Sequence, residues 1–546
     1  MHNAQLTSYY KRPVVIRRVP KSGIIAAIGI AFFVTAALSA LLLHAPSLDP
    51  SYIWNDPYYR HVTQFSFYQA FLSTLLSVGF AVPVAQAISK RQFFGKSLLL
   101  KLFASTLVLP VLVGVFGLLA IYGNSGLLVG GFKWLGVDPG FSIYGLNGIL
   151  LAHLFFNLPY ATRLLVQSLE GIPYEQHKLC AHLGMNHWQK FCWVEWPRLK
   201  QQLPHVCGLV FMLCFTSFAT VMALGGGPKS TTIELAIYQA IKFDFDLQAG
   251  ALLAIWQMLL CGLLALAIQK LAKPQPTYLG SSQSSSAFRR DSKLAKLWDG
   301  FWILASVLLV IPPLLMVVIS GINPSALAVL LDGHFWQALA ASLQVAILAS
   351  IGALTLGSMI LATSRMWRLT GKTFKADKIE LIGTIILVTP GLVVSTGLFL
   401  LMRSITDVFS VAFWVVIAVN SLMALPYVIK TLAQPMFQLV QQYQYLTASL
   451  GVTGWHHLKL MEWRALRKPI AHALAISFML SIGDLSAIAL FGGQEFRTLP
   501  LYLFQMLGSY QMDAAAAVSL SLLIVSVLSF VIIERLLKTE ATRGNA

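Results

Sequence analysis

The chain has 546 residues, of which 57% are hydrophobic and only 11% charged, with a mean hydropathy of +0.71. That composition excludes an ordinary soluble domain and implies a membrane protein with many spans. Lys and Arg number 39 against 21 Asp and Glu, but they sit between apolar runs and form no stripe interleaved with stacking aromatics, so no nucleic-acid partner is expected.

A spanning helix needs about 20 mostly apolar residues. Twelve runs qualify, centred near Phe32, Phe80, Leu109, Phe155, Phe215, Leu259, Leu309, Ala349, Gly391, Ala418, Met479 and Leu523. An all-α polytopic fold of about twelve transmembrane helices is therefore expected. The first run follows Lys11, Arg12, Arg17, Arg18 and Lys21 and lacks a small-residue cleavage site, so it reads as an uncleaved anchor. Assigning loops alternately to two sides places 33 of the 39 basic residues on one side. Lys and Arg near span ends set orientation, so both termini are expected in the cytoplasm. The five cysteines, Cys180, Cys192, Cys207, Cys214 and Cys261, form no Cys-x-x-Cys pair, which supports neither a disulfide framework nor a metal site.

An offset of 267 or 268 residues brings separate segments into register. Phe67-Tyr68-Gln69-Ala70 falls on Phe335-Trp336-Gln337-Ala338, and Leu158-Pro159-Tyr160 on Leu425-Pro426-Tyr427. Gly184, Trp188, Glu195 and Trp196 fall on Gly451, Trp455, Glu462 and Trp463, and Thr231 on Thr498. Shared Gly, Trp, Glu and Pro at one offset mark an internal duplication. Six spans per copy is an even number, so the two six-helix repeats run parallel and a solute pathway is expected between them. The expected organisation is a tail over 1–22, a first half over 23–272, a linker over 273–298, a second half over 299–536 and a tail over 537–546. The linker's Ser, Gln and Pro cannot bury a core.

The loop at about 168–203, between the fourth and fifth spans, and its counterpart at about 434–469 carry the strongest repeated polar feature. A short helix is expected to end at Gly184, because glycine accepts positive φ. Asn186 is placed to cap a second helix, with Thr453 at the matching position. The turn would present Leu183, Gly184, Met185 and Trp188, and in the second half Leu450, Gly451, Val452 and Trp455, as an apolar knob suited to a groove on another protein.

Gly184 followed thirteen positions later by Pro197 resembles the conserved loop of binding-protein-dependent ABC importer permeases, whose pattern is Glu-Ala-Ala, three residues, Gly, nine residues, Ile, any residue, Leu-Pro. Lys178-Leu179-Cys180 and Tyr445-Leu446-Thr447 replace the Glu-Ala-Ala, and Arg464 replaces the second Pro. Leu224-Gly225-Gly226-Gly227-Pro228, the following Thr231 to Gln239 and Ser481-Ile482-Gly483-Asp484 resemble the fused permeases of thiamine importers. The resemblance covers the chain apart from the N-terminal tail and the linker. It implies a type I ABC importer permease fold, two copies of a cytoplasmic ATPase on the two loops, a periplasmic binding protein, thiamine as solute and an inner-membrane location. Thiamine phosphates, ferric iron or another small solute remain open as cargo, and an ion-coupled secondary carrier is the rival from another class.

ATP is expected to be used by partner subunits, with no cofactor bound here and no catalytic residue. Gly95-Lys96-Ser97 and Gly371-Lys372-Thr373 carry only the tail of a phosphate-binding loop, with Lys90 and Met366 where its first Gly belongs. Ionisable groups inside spans are costly and mark candidate pathway positions. Asp484 is the first such candidate, suited to the fixed positive charge of thiamine, and His153 the second. On the outer side, Ile233, Ala236, Ile237 and Ala240 predict an amphipathic helix. It would either contact the binding protein through Glu234 and Asp246 or pack on the bundle as a lid.

Overall fold

The computed structural model describes residues 19–45, 55–106, 109–124, 126–136, 140–271, 293–387, 389–451, 456 and 458–538. Among them every regular element is a helix. The first half contains α1 (Ser22–His44), α2 (Pro57–Lys90), α3 (Lys96–Ser105), α4 (Val111–Tyr122), α5 (Leu146–Glu170), α6 (Tyr174–His182), α7 (Trp196–Phe215), α8 (Phe218–Leu224), α9 (Ile233–Lys242) and α10 (Leu247–Leu271). The second contains α11 (Lys293–Gly321), α12 (Gly333–Leu369), α13 (Thr373–Thr384), α14 (Gly391–Ile405), α15 (Val408–Ser449), α16 (Arg464–Ile482), α17 (Ser486–Phe491), α18 (Leu499–Gly508) and α19 (Met512–Lys538).

Ten helices among the described residues are long and apolar enough to cross a membrane, or eleven when the bent α7–α8 pair counts as one. The expected span centred near Gly391 is shorter than its apolar run. Proline lacks an amide and disfavours helix in the residue before it. Thus Pro390 starts α14 afresh, leaving a 15-residue helix. The expected linker also ends early, because α11 already begins at Lys293; residues 272–292 lie outside the described residues.

The duplication is visible in hydrogen bonds as well as in helix order. Asp56 accepts from the Tyr58 amide at 2.7 Å to start α2, and Asp332 accepts from the His334 amide at 3.0 Å to start α12. Further along, the Ser66 hydroxyl accepts from the Ile233 amide at 3.0 Å and the Ser342 hydroxyl from the Leu499 amide at 2.7 Å. Asp332 and Ser342 each stand 276 residues beyond their counterparts. The match of Phe67-Tyr68-Gln69-Ala70 to Phe335-Trp336-Gln337-Ala338 is therefore eight residues out of structural register, about two helical turns. Apolar helix faces repeat every turn, which is how a slipped match still looks convincing. An extra first-half helix, Leu127–Trp134, precedes α5 and accompanies the return to an offset of 267.

The first helix of each half packs on the other half. Helix α1 lies against α12 and α14, and α11 against α2 and α4. The contacts are made at glycine. Gly117 and Gly397 are both the seventh residue of their helices, and a side chain on either would collide with backbone, that of Pro313 for Gly117 and that of Ala37 for Gly397. At the Lys- and Arg-rich end of the bundle, called here the basic face, Arg91 of the first half pairs with Asp299 of the second at 2.6 Å.

Candidate functional site

The two repeated loops emerge at the basic face. Helix α6 ends as the residue types predict. Gly184 has φ of +64°, its amide donates to the Ala181 carbonyl at 3.2 Å, and the Met185 amide donates to Cys180 at 3.0 Å. This reciprocal closure satisfies the last carbonyls of the helix. Asn186 then accepts from the Gln189 amide at 2.8 Å while its own amide donates to the Gln189 side chain at 3.0 Å, a capping box. Leu183 and Trp188 are exposed at the turn, and Met185 is half-buried. In the second half Gly451 repeats the left-handed conformation with φ of +62°, and Leu450 is exposed. Val452, Thr453 and Trp455 lie outside the described residues.

The halves differ in how the chain reaches this turn. Gly171 and Pro173 separate α5 from α6. The corresponding second-half positions are Gln438 and Val440, so α15 runs unbroken for 42 residues to Ser449. The separate loop helix expected after 434 is thus the end of a long one.

Sequence reasoning noted the repeated Glu195 and Glu462 without giving them work. Glu195 is buried and pairs with Lys90 at 3.1 Å, and Gln86 donates to it at 3.0 Å. Glu462 pairs with Arg365 at 2.6 Å. Both carboxylates end or lie in a π-helical turn, Phe191–Glu195 and Leu458–Trp463, whose starts are 267 residues apart. Each pair ties a loop to α2 or α12 of its own half. The repeated Glu-Trp was the available signal.

Between the halves lies a cavity of about 870 Å³, within the range of small-molecule sites. Both halves line it, including Tyr160 and Tyr427, which are the last residues of the repeated Leu-Pro-Tyr segments. Helix α7 breaks at Thr216–Ser217 and α8 leaves at 52°; α16 breaks at Gly483–Leu485 before α17. Ser217 and Asp484 occupy equivalent positions in these breaks, and both line the cavity.

Asp484 lines the cavity, and its oxygens are engaged. One accepts from the Ser486 amide at 3.2 Å and the Ser486 hydroxyl at 2.7 Å, the other from the Ala487 amide at 3.2 Å. These bonds cap α17, where free amides and the helix dipole favour an anion. His153 also lines the cavity, with both ring nitrogens satisfied: Nδ1 lies 2.8 Å from the Ser73 hydroxyl and Nε2 2.8 Å from that of Ser217. Ser217 donates onward to the Cys214 carbonyl at 2.9 Å. A proton on Nε2 satisfies all these groups, so His153 pins α2, α5 and the α7 bend together.

The amphipathic helix expected at the outer side is α9, and it is packed in the bundle nearly all round. Ile233 to Tyr238 are all buried. Glu234 is only 2% exposed and lines the cavity beside Asp484. This corrects its expected place on the outer surface: the helix sits as a lid, wedged against α2, α8, α10, α14 and α17. Asp246 is exposed and caps α10 by accepting from the Gln248 and Ala249 amides at 3.1 and 3.0 Å. At the end of α9, Lys242 crosses between the halves. Its ammonium donates to the Leu490 and Gly492 carbonyls at 3.2 and 3.0 Å and lies 5.6 Å from the Phe409 ring centre. Among the described residues no group of His, Cys, Asp and Glu could hold a metal ion.

The profile described as "Binding-protein-dependent transport system inner membrane component" matches residues 62–277 and 375–539, once in each half. The chain is 48% identical over 502 residues to the protein named thiamine transport system permease protein ThiP from Salmonella typhimurium, covering 92% of this chain and 93% of that one. It is 47% identical to the protein of that name from Escherichia coli, over 92% of this chain and 93% of that one. For the Haemophilus influenzae protein of the same name the identity is 40%, over 95% of this chain and 97% of that one. With two profile matches in two helical halves around a shared cavity, the chain belongs to the family of binding-protein-dependent importer permeases.

Proposed function

We propose that this chain is the thiamine-carrying permease of a bacterial inner membrane, passing the solute through the cavity between its halves by alternating access. The observation that carries this reading is the near-complete alignment with relatives named as thiamine permeases. The interface cavity, with Asp484 on its wall, supplies a fitting route for an organic cation. Two copies of a cytoplasmic ATPase dock on the exposed turns at Leu183–Gly184 and Leu450–Gly451, and ATP is used by those subunits. A periplasmic binding protein delivers thiamine at the opposite face, where exposed Asp246 is one available acidic contact. The basic face, and with it both termini, is cytoplasmic, as the placement of Lys and Arg supports.

Reconstitution in vesicles with the binding protein and the ATPase tests the reading. Thiamine uptake is expected to require ATP and to persist when ion gradients are collapsed. Uptake that follows a proton gradient without ATP would overturn it.

A further inference from the structure

We infer that Glu234, rather than Asp484, is the principal counter-charge for the cationic solute in the interface cavity. The proposal rests on the thiamine reading above, since it requires a fixed positive charge in the cargo. Three observations carry it.

First, the side chain is free. Glu234 is 2% exposed, lines the cavity and has no hydrogen bond or ion pair among the described residues. A buried carboxylate without partners is expensive, so the group rests as the neutral acid and ionises only beside a compensating charge. Asp484 differs, because three bonds to the start of α17 already hold its two oxygens.

Second, the cavity's own basic side chains stand elsewhere. His205 and Lys430 line it, and His205 precedes the end of α7 by ten residues, about 15 Å of helix toward the basic face. Helix α9 packs instead against α8, beyond the bend. The carboxylate end of the cavity is therefore not neutralised from within.

Third, the electrostatics of the empty cavity have the sign a cation would relieve. Burial pushes the Glu234 carboxyl up to about 8, and the Asp484 charge adds to the shift. Glu234 comes from the first half and Asp484 from the second. A cation seated between them favours the ionised form of Glu234, and its departure lets the carboxyl take up a proton again.

The test uses the complete transporter in vesicles, supplied with binding protein saturated either with thiamine or with 3-deazathiamine, in which a neutral thiophene replaces the thiazolium. The receptor's own preference then cancels between variants. Glu234→Gln is expected to lower thiamine uptake at least about tenfold, because a buried charge has no cheap substitute. Glu234→Asp is expected to retain most of it, and Asp484→Asn, which keeps a capping oxygen, to lose less than Glu234→Gln. The loss in Glu234→Gln should be smaller for 3-deazathiamine. An unchanged thiamine rate in Glu234→Gln overturns the assignment, as does an equal fall in Glu234→Gln and Glu234→Asp, or a larger fall in Asp484→Asn. A wild-type complex that carries no thiamine removes the thiamine reading and the proposal with it.

Discussion

Two glycines show how a single residue type can be decisive for conformation alone. A side chain at Gly184 or Gly451 would meet nothing within 4 Å, yet both hold positive φ. A β-branched residue there should cost about 1–2 kcal/mol of strain, whereas asparagine tolerates the left-handed region. The expected outcome is that Gly184→Val with Gly451→Val lowers thiamine uptake per ATP hydrolysed several-fold, and that the paired Asn variants stay close to wild type. Equal behaviour of the Val and Asn pairs, measured as uptake against phosphate release, would refute the strained-turn account. These glycines were legible because spacing and residue type both pointed to a helix end. Glu234 was not. Its amphipathic neighbours predict a helix but leave the surroundings of each face open, and only the packing of α9 against five other helices decides that the polar side faces a cavity.

At the scale of elements, the short helices between spans add to the connection that the first helices make between the halves. Lys242 closes α9 of one half onto the Leu490 and Gly492 carbonyls at the end of α17 in the other. A hydrogen bond to a charged group contributes about 1.5–3 kcal/mol, and about 1.4 kcal/mol is a factor of ten in an equilibrium. Lys242→Met should shift the resting balance toward separation of the halves at this face by tenfold or more. Spin labels on α9 and α18 report it as a broadened, longer distance distribution, and an unaltered distribution would remove the latch. The sequence announced this helix but not its partner, because two carbonyl acceptors leave no mark on side-chain identity. Helix count was legible to within the break at Pro390 and the bend around Thr216, where apolar composition continues through a change of direction.

For the whole molecule, the exchange of first helices makes each half depend on the other for packing. A large residue at Gly397 would force α1 off α14, and overpacking of this kind typically costs about 1–3 kcal/mol. Gly397→Leu should therefore lower the midpoint of thermal unfolding in detergent, and a midpoint equal to that of wild type would show the contact to be slack. The covalent link between the halves, by contrast, should be dispensable. Chains divided within 273–292 and produced together are expected to assemble and to retain uptake, since α1 and α11 already clasp opposite partners. The duplication was readable from the glycines and tryptophans of the loops, but the exchange was not, because it depends on where α1 lies relative to helices hundreds of residues away.

That separation sets a timetable for biogenesis. The Gly23 amide donates to the Thr363 hydroxyl, 340 residues later in the chain, and ribosomes add roughly 5–20 residues per second. The newborn helix must consequently wait roughly 20–70 s before this second-half partner is even translated. During that interval the translocon or an insertase is the natural chaperone for its unmatched alanine-lined seam, so depletion of such a factor should damage this permease early, before any nucleotide is spent on transport.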